Sequence, residues 1–313
     1  MGSEKPEPPH LASPRMWPSW CLVGVGWVIG RLPLGMLFPL GKHLGRIAFR
    51  FWGRRRRIAE INLRLCFPEL DAPEVTALAR RSFEAVTLGV LEFCVAWLNP
   101  LRDLRGRMKI VGAEHFRAAM AQERGVVLLG AHFGCLDIVS QALADLGRID
   151  VMYRYNKNPV LERVQLRGRR HYYRGVIERQ DTRAMLQALK EGRAVWYAAD
   201  QDYGAKHSVF APFFGVEAAT ITATARFAGL KGSPVVMLSH HRDYDGRSWT
   251  IEFSSPIEEF PSGDDQQDAC RINQVMEAEI RKHPEQYLWL HRRFKTRPLG
   301  EPKFYEQGTN HVS

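Results

Sequence analysis

The chain has 313 residues, 45% of them hydrophobic and 25% charged, the balance of a folded protein long enough to bury a sizeable core. Its formal net charge of +10 calls for an anionic neighbour: a phospholipid surface, an acidic protein or nucleic acid. No zinc-finger spacing, RRM-like aromatic signature or heptad-backed basic region supports the nucleic-acid choice. The five cysteines are scattered and form no Cys-x-x-Cys pair, which speaks against a disulfide framework or a metal site and for a reducing compartment.

Residues 1–14 hold four prolines and little apolar surface, so a loose tail is expected there. From Trp17 to Gly30 no charge interrupts an apolar run; Arg31 does, and a second run follows over 32–40 with Pro33 and Pro39 inside it. A membrane-spanning helix wants about 20 apolar residues, and the first run is shorter. Behind it come Lys42, Arg46, Arg50 and Arg54 to Arg57, interleaved with Phe49, Phe51 and Trp52. Aromatics beside arginines next to an apolar stretch suit a headgroup interface. Residues 15–52 are therefore expected to be membrane-associated, either crossing or lying in the interface; a buried core helix followed by a solvated basic one is the competing reading.

Helical periodicity continues over 54–66 and 73–97, so residues 53–106 form a helical region. From about residue 107 the pattern changes. Strands are predicted at 108–111, 126–130, 150–154, 175–178, 194–198, 234–240 and 249–254. Helices are predicted at 113–122, 136–146, 159–173, 182–191, 221–230 and 268–282. This alternation implies an α/β fold over 107–305, with a mixed, mostly parallel sheet wrapped by helices, and a loose end at 306–313.

His132 and Asp137 follow the apolar strand at 126–130 and open a helix, a place where α/β folds gather their sites. On one continuous helix five positions amount to about 500°, so the two side chains would diverge by about 140°. They meet only if His132 lies in the turn before the helix and Asp137 reaches back from its first turns. The carboxylate would then hold one ring nitrogen protonated and leave the other free to take a proton from a hydroxyl. The pair taken alone fits a structural histidine equally well. Cys135 offers a further reading, a cysteine nucleophile at a helix start, though no cysteine-enzyme signature surrounds it and small buried cysteines are common.

Several stretches carry a resemblance: 62–70; 128–133, Leu-Leu-Gly-Ala-His-Phe; 153–159, Tyr-Arg-Tyr-Asn-Lys-Asn-Pro; 194–204, Ala-Val-Trp-Tyr-Ala-Ala-Asp-Gln-Asp-Tyr-Gly; 208–215; and 285–298. Together they resemble the bacterial lipid A biosynthesis acyltransferases, within the wider lysophospholipid acyltransferase group, over about residues 58–305. The resemblance implies that a histidine deprotonates an acceptor hydroxyl of a Kdo-lipid A precursor, which attacks an acyl thioester on acyl carrier protein, while the acidic residue orients the histidine. It implies no metal and no bound cofactor, and a site on the cytoplasmic side of the bacterial inner membrane. Lauroyl-transferring members often carry Glu at the acid position, where this chain has Asp137. A lysophospholipid or other glycolipid is the alternative acceptor.

Arginine forks bind phosphate bidentately, so Arg154, placed where the family's second motif falls, is assigned to the acceptor headgroup. Arg167, Arg169 and Arg170 either join it or form a solvated basic face. The resemblance favours a positioning role for Asp200 in substrate binding, with a plain N-cap or turn role as the competing account, particularly for Asp202. Phe213 and Phe214 are expected to line the acyl channel or touch lipid, with core packing as the competing account. Tyr287 to Trp289 read as core, and Arg292, Arg293, Lys295 and Arg297 as exposed cations facing lipid or the acidic carrier protein.

Overall fold

A computed structural model describes residues 11–243 and 247–306. The loose tail expected over 1–14 therefore falls mostly, and the end expected over 306–313 almost wholly, outside the described residues. Four helices come first: α1 (Trp17–Ile29), α2 (Leu34–Phe51), α3 (Gly53–Cys66) and α4 (Ala72–Leu98). The start of α4 is set by a capping box. Asp71 Oδ1 accepts from Glu74 N (2.8 Å) while Glu74 Oε2 accepts from Asp71 N (2.9 Å), satisfying two backbone donors reciprocally.

The rest of the chain alternates: β1 (Met108–Val111), α5 (Ala113–Met120), β2 (Val126–Gly130), α6 (Leu136–Ala144), β3 (Ile149–Tyr153), α7 (Pro159–Tyr172), β4 (Gly175–Glu178), α8 (Thr182–Lys190), β5 (Ala194–Ala198), β6 (Ser208–Phe213), β7 (Val216–Ile221), α9 (Ala223–Gly229), β8 (Val235–Arg242), β9 (Trp249–Pro256) and α10 (Asp265–Lys282). Seven strands form one sheet in the order β1-β9-β8-β2-β5-β3-β4. Every pairing is parallel except β8 with β9, so the mixed, mostly parallel sheet is as expected.

Strand composition follows from burial on both faces. In β2, Val127 and Leu129 enter one core while Val126 and Leu128 enter the other. Val195 and Tyr197 of β5 likewise oppose Ala194, Trp196 and Ala198. Helix α4 serves both cores, with Val75, Leu78 and Phe83 on one side and Leu88, Leu91 and Val95 on the other.

The expected helix at 221–230 begins only at Ala223, because residues 208–221 form a β6–β7 hairpin. Its two-residue turn is Phe214-Gly215, both at positive φ (51° and 75°), the arrangement of a type I′ connection. The sequence hid it: the strand carries Pro212, and a phenylalanine occupies a position usually given to Asn or Asp.

Candidate active site

Strands β2 and β5 are parallel neighbours in a register that pairs Gly130 with Ala198. His132 and Asp200 each lie two residues beyond that pair, so the ladder delivers them side by side at the carboxyl edge of the sheet. His132 Nδ1 lies 2.6 Å from Asp200 Oδ1, and the His132 backbone N–H donates to Oδ2 at 2.9 Å. Asp200 is 2% exposed. Burial works to raise its pKa, but the His132 ring, the two bonds from His132 and one from the Tyr287 hydroxyl outweigh it and hold the carboxyl down at about 2. For the ring, burial opposes charging; the Asp200 charge and hydrogen bond overcome this and move its pKa upward, with Arg169 pushing back. The other ring nitrogen, Nε2, is 3.0 Å from Gln201 Nε2.

The direct pairing of His132 with Asp137 is not what the fold builds. Asp137 occupies the first turn of α6, and its carboxylate accepts from Arg169 Nε (2.9 Å), Arg169 Nη2 (3.2 Å) and Trp97 Nε1 (3.1 Å). Both residues still line the same cavity. Asp200 is the carboxylate on the ring, and Asp137 holds an arginine.

The turn between β2 and α6 is clamped from two sides. Helix α4 passes so close that a Cβ on Gly89 would lie 2.4 Å from the Gly134 carbonyl oxygen. From the other side, Leu288 N–H donates to the His132 carbonyl at 3.1 Å. Beneath the turn, buried Arg242 reaches Glu92 through Nε (2.6 Å) and Nη2 (2.8 Å), and Trp249 donates to the same carboxylate at 2.9 Å.

In front of the histidine opens a cavity of about 660 Å³, within the range of small-molecule sites. Val86, Val90 and Phe93 of α4, with Trp196, Ile221 and Phe227, make its walls apolar, while Arg154, Arg169, Arg179 and Arg226 bring cations to it. An apolar slot with guanidinium groups around a histidine can take an alkyl chain and an anionic headgroup together.

The remaining expected site residues divide. Arg154 belongs to the cavity wall. Arg167 and Arg170 are exposed on α7, and Arg169 is the member of that group in the wall. Phe213 and Phe214 are core residues, 0% and 6% exposed, packed against Phe67, Tyr287, Trp289 and Phe294; the hairpin turn drives them inward, so neither lines the cavity nor faces lipid. Arg293, expected at the surface, is 2% exposed and donates to the Ala219 carbonyl and Thr220 hydroxyl. Arg297 likewise bonds the Glu217 carbonyl. Asp202 does serve its turn, accepting from Gly204 N and Thr296.

Cys135 carries no nucleophile. Its thiol is fully buried and pushed up by that burial, while its neighbour His240, 3.3 Å away, is pushed down to about 3, by burial first and Arg242 second. A thiolate–imidazolium pair needs both shifts reversed. Gln201 and the Tyr287 hydroxyl escaped sequence reasoning. Arg169, one of three arginines that the sequence offered together, is set apart in the structure by lying on the inward face of α7, seven residues after buried Glu162.

This geometry meets a direct comparison with known proteins. The family described as bacterial lipid A biosynthesis acyltransferase matches residues 4–296. The lipid A biosynthesis lauroyltransferase of Escherichia coli (strain K12) is 39% identical over 296 residues, covering 94% of this chain and 97% of that protein. The palmitoleoyltransferase of the same pathway and strain is 38% identical over 293 residues, 93% and 95% of the two chains. The myristoyltransferase is 30% identical over 298 residues, 94% and 92%. The chain is an acyltransferase, and it belongs to the bacterial lipid A biosynthesis acyltransferase family.

Proposed function

We propose that His132 is the general base of an acyl transfer from an acyl carrier protein thioester to a hydroxyl of a Kdo-lipid A precursor. The observation that carries this is the 2.6 Å contact between His132 Nδ1 and Asp200 Oδ1 at an apolar cavity bordered by arginines. Asp200, ionised and able only to accept, keeps the proton on Nδ1 and turns Nε2 towards the cavity as the basic nitrogen. The acceptor hydroxyl gives its proton to Nε2 as its oxygen attacks the thioester carbonyl. The C–S bond then breaks, and the thiol leaves with a proton returned by the imidazolium. Asp137 contributes through Arg169, whose guanidinium it fixes at the cavity wall, and Arg154 adds a second cation for a phosphorylated headgroup.

The same reading puts the chain on the cytoplasmic face of the inner membrane. Among the described residues no helix is long and apolar enough to cross a membrane. Helix α1 leaves Trp17, Leu22, Val25, Trp27 and Val28 exposed, and Met36, Ile47, Phe51 and Trp52 extend this surface along and just past α2. These side chains, followed by the arginines of α3, suit a segment lying in an anionic interface.

The test is His132→Ala in purified enzyme, assayed with acyl carrier protein thioester and Kdo-lipid A precursor: transfer is abolished. Retained transfer overturns the reading. Mass spectrometry of lipid A from a deletion strain reports the acceptor, and the loss of one acyl chain is expected.

A further inference from the structure

With Nδ1 protonated, the lone pair that the reaction needs lies on His132 Nε2. In the folded enzyme that lone pair already has a partner: the side-chain amide nitrogen of Gln201, 3.0 Å away. An amide NH₂ can only donate, and a nitrogen lone pair accepts one such bond, so neither water nor a hydroxyl can be deprotonated there while the amide stays in place. We infer that Gln201 is a displaceable cap on the catalytic base, which holds Nε2 closed to water until the acceptor hydroxyl takes the amide's place. The inference rests on His132 acting as the base.

The surrounding structure suits a cap that moves without disturbing the base. Gln201 stands between two anchored aspartates. Asp200 is fixed by the His132 backbone and ring, and Asp202 by Gly204 N, Thr296 N and Thr296 Oγ1. The backbone on either side is thereby pinned, while the half-buried Gln201 side chain, with three rotatable torsions, borders the cavity. One neutral hydrogen bond shifts an equilibrium by roughly twofold to tenfold. That is enough to bias the site against free water, yet weak enough to be displaced by a hydroxyl whose own headgroup is held at the cavity by Arg154 and Arg169.

The cap answers a chemical need. A thioester is activated towards any oxygen nucleophile, so an open base beside it would also serve water. Water would attack the carbonyl, its proton passing to Nε2; the C–S bond would break, the thiol leaving with that proton, and a free fatty acid would be lost.

The experiment compares the wild type with Gln201→Ala and Gln201→Leu, the latter keeping bulk without the donor. Acceptor-free hydrolysis of a lauroyl thioester of acyl carrier protein is read as released laurate, and transfer is read with Kdo-lipid A precursor over a pH series. Both variants are expected to hydrolyse the thioester roughly twofold to tenfold faster than wild type. The acidic limb of their pH profiles is expected to move upward, since a proton no longer competes with the amide for Nε2. Folded variants with wild-type hydrolysis and an unmoved limb overturn the cap, as does leakage in Gln201→Ala with wild-type behaviour in Gln201→Leu, which would mean simple exclusion by bulk. Adding His132→Ala to Gln201→Ala separates the two claims: hydrolysis that persists there sinks the base itself, whereas an inactive His132→Ala beside non-leaking Gln201 variants sinks only the cap.

Discussion

Buried Asp137 and half-buried Arg169 form a two-point ion pair, with Nε 2.9 Å from Oδ1 and Nη2 3.2 Å from Oδ2, and the Trp97 indole closes on the same carboxylate. Removing Asp137 leaves the half-buried guanidinium without its partner. Asp137→Ala is therefore expected to cost about 1–3 kcal/mol of stability, visible as a lowered melting temperature. Asp137→Asn keeps the shape but gives Arg169 a neutral partner. Its transfer rate is expected to fall on the order of 10²-fold or more if the guanidinium stabilises charge in the transition state. A folded Asp137→Asn enzyme with wild-type turnover would show that the pair is purely architectural.

The His132–Asp200 contact sets a pH dependence with a definite sign. Asp200 is held down at about 2 and stays ionised in any working buffer, while the His132 pKa is raised. A base must be unprotonated, so kcat/KM is expected to fall as pH drops through a value above the ordinary imidazole pKa of about 6.5. Stability runs the other way. A raised histidine pKa contributes its full stabilisation below the unfolded value and loses it as pH rises through the folded one. Asp200→Asn should lower the acidic limb and cut turnover on the order of 10²–10⁴-fold. A limb that stays put in that variant would assign it to another group.

Glu92 binds Arg242 and Trp249 in the floor beneath the turn between β2 and α6. Glu92→Ala would strand a buried guanidinium, and a loss of about 3–5 kcal/mol is expected in chemical denaturation. Little loss would mean that water or Gln286, whose Oε1 lies 3.5 Å from Arg242 Nη1, takes over the arginine.

Phe214 supplies a test of the corrected assignment. Its ring packs on Phe67, Phe213 and Trp289, so Phe214→Ala is expected to cost about 3–5 kcal/mol. Because the ring is not in the wall of the slot, the preference among acyl chain lengths should not change. A shifted product distribution would return Phe214 to the channel.

The parts of this protein legible in its sequence are those governed by local periodicity. All seven strands of the main sheet were visible in the sequence; in β2 and β5 the burial of every residue leaves no alternation to misread, while edge strand β1 alternates half-buried and exposed positions. The position of His132, beyond a buried strand, was legible for the same reason. Its partner was not. Asp137 is five residues away and Asp200 is 68 residues away, and only the pairing of β2 with β5 brings the second to the ring. The same limit explains Arg293, whose burial depends on the Ala219 carbonyl and Thr220 hydroxyl, and the β6–β7 hairpin, whose turn succeeds with a phenylalanine because the ring finds an aromatic pocket.

The shared register of Gly130 and Ala198 makes the spacing of His132 and Asp200 a property of the sheet's hydrogen-bond ladder. Helices around it can be lengthened or reshaped without moving the pair, provided neither loop gains or loses a residue between the paired position and His132 or Asp200. A single insertion between Ala198 and Asp200 would carry the carboxylate about 3.3 Å along, beyond reach of the ring. The cavity walls can thus change without moving the pair, while the two short steps after β2 and β5 stay fixed in length.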